Sequence, residues 1–251
     1  MHYIVQDLLT LHEKEIASAD YKLVMSHLEI LKKLSCEIDY YMLVELSIKD
    51  FLLLQDKIQS ESYNKFVFLN SKFANLLNAF YMWLEYHKKE YNYETEDLIT
   101  TCTKDNIYFN LTRELRNHVV HDGFAISIIS FDCLKEEILY LIKPGDILRQ
   151  KTNSQLKKWL SEKIAKNEEI DSINCIKQFS EVFNELQFKI WNKLLPESTK
   201  RINDCIKTLK LDGADIRNIV IDCGDSSYMA GHILGEIRDK MLIADSLARI
   251  D

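Results

Sequence analysis

Two prolines, Pro144 and Pro196, and six glycines punctuate a chain of 251 residues. These two residue types break helices most often, proline by its missing N–H and ring clash, glycine by its backbone freedom. A chain with so few of them has little means of stopping a helix once begun. The expected fold is therefore all-α, or mostly α, with long helices. Hydrophobic residues at 47% and charged residues at 28% supply a core and a solvated surface, which excludes a disordered chain.

The spacing of apolar residues carries the expectation further. From Tyr3 to about Ser60, Leu8, Leu11 and Ile16, then Leu23, Leu28, Leu31 and Leu34, recur at helical intervals, and Ile38 to Ile58 continues with Tyr41, Val44, Ile48 and Leu52. Two or three helices are expected there. Ser62 to about Tyr91 reads as one long helix through Phe66, Leu69, Phe73, Leu77, Phe80 and Leu84, ended by Lys88-Lys89-Glu90 and a polar cluster. A second helix, from roughly Thr95 or Asp105 to Asp122, makes a helical hairpin over about 62–123. Phe124 to Ser130 alternates and is rich in β-branched residues, as a short strand is, with Glu137 to Ile142 as its partner. Pro144-Gly145-Asp146 reads as a turn, and places the expected boundary between a domain over 1–143 and a helical extension over 144–251. In that extension helices are expected near Ser154, over Ile173 to Leu195 ended by Pro196, and over Glu197 to Leu211 and Ser226 to Ile250.

A net charge of −7 argues against a general nucleic-acid coat protein, whose affinity rests on many phosphate contacts, but not against a protein that grips one or two phosphates locally. Met1-His2-Tyr3 opens without a basic and apolar leader, and no apolar run approaches the ~20 residues of a membrane span. A cytoplasmic chain with no membrane partner is expected. Six cysteines lie scattered without a Cys-x-x-Cys pair, so free thiols are expected rather than a zinc ribbon or disulfide framework. Tyr40, Tyr41, Tyr81, Trp83, Tyr86, Tyr91 and Tyr93 read as core aromatics rather than base-stacking platforms. Gly231-His232-Ile233-Leu234-Gly235 lacks the Lys-Ser or Lys-Thr of a phosphate loop.

The polar chemistry concentrates in Arg113 to Gly123, where two arginines, two histidines, two acids and an asparagine occupy eleven residues. At ~100° per residue, Tyr108, Leu111, Leu115 and Val119 make one apolar stripe, which leaves Arg113, Arg116, Asn117, His118 and His121 on the other side. Gly123 is placed to end the helix.

Arg116-Asn117-His118-Val119-Val120-His121 resembles the Arg-x(4–6)-His signature of the HEPN superfamily, including the asparagine after the arginine and the glycine that follows the histidine. The resemblance covers about Ser62 to Ile129. It implies a HEPN-like helical bundle and metal-independent endoribonuclease activity of the kind found in toxins and antiphage defence. RNA would be the substrate, a homodimer would build a composite cleft, an antitoxin or other defence-system protein could be a partner, and no cofactor or metal is called for. The resemblance assigns catalysis to Arg116 and His121, with Asn117 orienting the imidazole or the phosphate. Arg113 and His118 would add substrate contacts. The chemistry suits these residue types, since cleavage through the 2′-hydroxyl needs a proton-transfer group near neutrality and a cation for the charged phosphorane.

Two other assignments use the same residues. In one, the domain is a HEPN-like module that binds a nucleotide, RNA or a protein without cleaving anything. In the other, Glu114, His118 and His121 share a ~60° arc and Val119-Val120-His121-Asp122 resembles the core of HD-type metal phosphohydrolases, with His87 as an upstream ligand.

Overall fold

The computed structural model describes residues 3–54, 63–132, 137–148, 152–210, 215–223 and 227–248. Ile58, Ser60, Ser62, Leu211, Ser226 and Ile250, which bound expectations above, and Cys133, one of the six cysteines, lie outside the described residues. The chain is mostly helical with a small β content. Its elements run β1 (Tyr3–Asp7), β2 (Glu13–Ile16), α1 (Ser18–Leu52), α2 (Tyr63–Glu90), α3 (Asn92–Thr103), α4 (Ile107–His121), β3 (Ile128–Asp132), β4 (Glu137–Ile142), α5 (Pro144–Ile147), α6 (Ser154–Ala165), β5 (Ile170–Asp171), α7 (Ser172–Leu209), β6 (Ile219–Asp222), β7 (Ser227–Tyr228) and α8 (Ala230–Ala248). Among the described residues, no helix is long and apolar enough to cross a membrane.

Two compact units divide the chain. Unit 1 joins residues Met1–Asp39 with Phe188–Asp251, and unit 2 is Tyr40–Gln187, so α1 and α7 each contribute to both. Pro144 and Gly145 fall within unit 2.

Unit 1 contains an antiparallel sheet in the order β2-β1-β6-β7, with Tyr3 opposite Ile16 and Val5 opposite Ile221. Here the structure departs from the sequence expectation of helices from Tyr3 onward. Tyr3, Val5 and Asp7 are buried while Ile4 and Gln6 are less so, a period of two that only a strand produces. Leu8, Leu9 and Leu11 sit exposed in the turn to β2, not on a helix face. Leu11 takes a left-handed φ of 57°, and Asp7 holds the turn through the N–H of Leu9 and the hydroxyl of Thr10. Those two donors keep the Asp7 carboxyl below the usual carboxylate range.

The first long helix is one element, not two or three. Val24, Leu28, Leu31, Ile38, Tyr41, Val44, Ile48 and Phe51 are buried at steps of three, four and seven along it, and no breaker interrupts them. Likewise α7 does not end at Pro196 but runs through it. Proline costs the bond to the Asn192 carbonyl, yet both residues are exposed, so water can meet that carbonyl. Trp191, Leu195, Ile202, Cys205 and Leu209 bury a stripe on both sides of the proline and hold the helix together. In unit 1, α8 approaches the 3-10 turn Ile216–Asn218 so closely that a Cβ on Gly231 would lie 1.7 Å from the Ile216 carbonyl oxygen. The glycine serves helix contact, in a segment that lacks a phosphate-loop pattern.

Unit 2 is built on an aromatic core. The Phe80 ring meets those of Trp83, Phe109, Phe179 and Phe183 at centroid distances from 4.8 to 6.2 Å. The expected second hairpin helix is divided into α3 and α4. Asn106 caps α4 by accepting from the Phe109 N–H, and Asn110 donates to the carbonyls of Thr103, Lys104 and Asn106. Strand β3 pairs with β4, the expected partner, but starts at Ile128 rather than Phe124. The reason is Asn70 on α2, whose amide both donates to the Ile126 carbonyl and accepts from the Ile126 N–H, each at 3.0 Å. That side chain does what a neighbouring strand would do. The expected turn at Pro144 is a short helix, α5, with proline in its first turn, where its missing N–H costs nothing. Cys36, Cys175, Cys205 and Cys223 are free thiols.

Candidate functional site

The motif helix α4 buries Phe109, Leu111, Thr112, Leu115 and His118. Its end is made as the sequence suggests. The N–H groups of Asp122 and Gly123 both reach the His118 carbonyl, and Gly123 adopts a φ of 128° that favours glycine. The face that carries Arg113, Arg116 and Asn117 is turned to a cleft of about 310 Å³ within unit 2. The opposite walls come from α2 and α3, chiefly Tyr81, Lys88, His87, Thr95 and Thr100.

Arg116 is the most constrained of the cleft cations. Its guanidinium carbon lies 3.6 Å over the Tyr81 ring, a close cation–π contact. Its Nε is buried and, among the described residues, has no hydrogen-bond partner. A buried donor left without an acceptor costs on the order of 1–3 kcal/mol, so this N–H favours any anion that enters. Lys88, Arg113 and Arg116 outnumber Glu85 and Glu96 among the charges lining the cleft. Deeper in, His87 is fully buried, with Nδ1 3.2 Å from the Thr95 hydroxyl oxygen and its ring against Trp83. Because that hydroxyl donates to the Tyr91 carbonyl, it accepts from the imidazole.

The two motif histidines lie elsewhere. His118 is on the buried face of α4, where Nε2 donates to the Phe124 carbonyl at 3.2 Å. Its Nδ1 is 3.3 Å from an Asp122 carboxylate oxygen, a contact whose angle is not that of a hydrogen bond. His121 is exposed in the last turn and does not line the cleft, in keeping with a departure ~140° from Arg116 around the helix. One chain therefore gathers Arg113, Arg116 and Asn117, and leaves His118 and His121 apart from them. Glu114 and Asp122 do not join a ligand set either: among the described residues no three His, Cys, Asp or Glu side chains converge as metal ligands.

Sequence reading placed Tyr81 with the core aromatics, but it is half-exposed beneath Arg116. Tyr81, Glu85 and Lys88 recur on α2 at intervals of four and three, so one helix face carries all three into the cleft. That spacing was available in the sequence. The pairing of this face with α4 was not.

No protein-family model matches the chain, and no curated protein or solved structure matches it either.

Proposed function

We propose that the chain is a metal-independent endoribonuclease of the HEPN type that works as a homodimer. The observation that carries this reading is Arg116, stacked on Tyr81 with an Nε unpartnered among the described residues, in a cleft it shares with Arg113 and Asn117. A guanidinium stacked this way keeps its in-plane donors free for a phosphate. In the proposed reaction the RNA 2′-oxygen bonds to phosphorus as the bond to the 5′-oxygen breaks. The 2′-hydroxyl proton goes to a base, and the departing 5′-oxygen takes a proton. Arg116 stabilises the charged phosphorane, Asn117 and Arg113 hold the phosphate, and His121 moves a proton. DNA, without the 2′-hydroxyl, is not a substrate.

Because His121 does not line its own chain's cleft, the reading calls for His121 from a second copy. Val120 and Phe124 flank it as exposed apolar side chains and offer that copy a surface to cover. At −7 the chain repels RNA at long range, so a defence-system partner that delivers or withholds substrate fits the same proposal.

The test is RNA cleavage in EDTA. Wild-type protein cleaves, Arg116→Ala and His121→Ala each lose about 10²- to 10³-fold, and a mixture of the two variants regains cleavage through heterodimers with one intact composite cleft. A strictly monomeric protein, or cleavage that needs added Mn²⁺, overturns the proposal, and the second result favours the HD-like metal reading.

The exposed position of His121 favours a second reading, a non-catalytic nucleotide- or RNA-binding module. In that case a 5′-nucleotide binds, Arg116→Ala abolishes binding, His121→Ala leaves it unchanged, and no RNA is cut.

A further inference from the structure

Unit 2 has a second, smaller pocket of about 190 Å³ between the end of α6 and the start of α7. Tyr108, Trp159, Lys163, Glu169, Asp171 and Cys175 line it, and the endoribonuclease proposal uses none of them. The Tyr108 and Trp159 rings stand 6.4 Å apart between centroids and 68° from parallel, so they form the corner of a cage rather than a stack. Aromatic faces carry negative potential and attract cations. This one already holds a cation: the Lys163 ammonium lies 5.6 Å from the Trp159 centroid. That ammonium is paired with Glu168 at 2.6 Å, which leaves Glu169 and Asp171 as the other charges of the pocket.

Two features decide what sort of cation fits. The amino end of α7 would by itself favour an anion, but Asp171 supplies one from within the chain by accepting from the Ile173 N–H at 2.9 Å. Cys175 is fully buried, and burial, helped by the Asp171 charge, pushes its thiol up to about 12, so this wall is neutral. The acceptors of the pocket are Glu169, Asp171 and Asn174, and its aromatic walls and neutral thiol offer few to the three N–H donors of a primary ammonium. A nitrogen clothed in methyl groups needs none.

We propose that this pocket binds a quaternary ammonium group of the choline type, held by the faces of Tyr108 and Trp159 with Glu169 and Asp171 at its rim. The group belongs either to a free solute or to the headgroup of a lipid. It enters beside Lys163, the resident cation, and competes with it for the Trp159 face.

Calorimetric titration of the full chain with choline, and with its neutral isostere 3,3-dimethylbutanol, tests this directly. Choline binds about tenfold or more tightly than the isostere, since only the charge differs. Trp159→Leu and Tyr108→Leu each weaken choline binding by roughly five- to thirtyfold, with folding checked by thermal melting. Glu169→Gln weakens it and Lys163→Met tightens it several-fold, and both changes are at solvent-accessible side chains that keep the test open if an aromatic variant does not fold. Co-sedimentation with phosphatidylcholine vesicles, abolished in Trp159→Leu, assigns the group to a lipid, and choline binding without co-sedimentation assigns it to a free solute. Equal affinity for choline and its isostere, no choline binding at millimolar concentration, or binding indifferent to all four substitutions overturns the proposal.

Discussion

Each unit buries a tryptophan and satisfies its indole N–H from another helix, but with different chemistry. In unit 1, Trp191 of α7 donates to a Glu37 carboxylate oxygen of α1 at 2.7 Å. In unit 2, Trp83 of α2 donates to the Gln187 amide oxygen of α7 at 2.9 Å. All four side chains are fully buried. The acceptor in unit 1 is thus an ionisable acid, whereas the aromatic core of unit 2 uses a neutral amide. The cleft arginines, Arg113 and Arg116, take no part in that buried bond. In unit 1 the acceptor is a buried carboxyl group, where a lost partner is costly.

The largest expected effect breaks this contrast at its centre. Trp191→Phe removes a donor from a buried carboxyl group and should lower stability by about 3 kcal/mol, whereas Trp83→Phe, which removes one from an amide oxygen, should lower it by about 2 kcal/mol. Urea denaturation reads both, and equal losses would mean that the choice of acceptor, carboxyl or amide, does not distinguish the units. Next in size is an alkaline effect present in both. Burial pushes the Cys175 thiol of unit 2 up to about 12 and the Cys205 thiol of unit 1 up to about 11. The unfolded chain gives up these protons nearer the ordinary thiol value of about 8.5, so stability falls as pH rises from there toward the folded values. Denaturation midpoints should decline across that window and decline less in Cys175→Ala. At pH near 8, iodoacetamide should label exposed Cys36 and spare Cys175 and Cys205. The smallest effect is local to unit 1: Leu11→Asn relieves a left-handed residue and should raise stability by at most about 1 kcal/mol, readable as a small rise in melting temperature.

The contrast also explains what the sequence disclosed. Helical content follows from the scarcity of breakers, and the end of α4 at Gly123 and the pairing of β3 with β4 are local enough to be read from spacing and turn chemistry. The sheet of unit 1 is not, because β1 pairs with β6 across most of the chain's length and each strand is only four or five residues long. At that length a strand and part of a helix face look alike. Pro196 misleads for a related reason, since a packed stripe on both sides outweighs one missing hydrogen bond. In the candidate site, Arg113, Arg116 and Asn117 share a helix face that periodicity reveals, and the cleft does take all three. His118 shows the limit of the same reasoning: a polar residue type suggested the open face, but its bond to the Phe124 carbonyl lets it lie on the buried one.

The clasp between Asn70 and Ile126 has a kinetic consequence. Ile126 is the second residue after an exposed Phe124, yet its amide proton is held by a side chain from α2 and not by a strand neighbour. Exchange of that proton with solvent therefore requires α2 and the segment leaving the motif helix to part, whatever β3 and β4 are doing. Its exchange rate is a single-site clock for how often the exit of α4 opens.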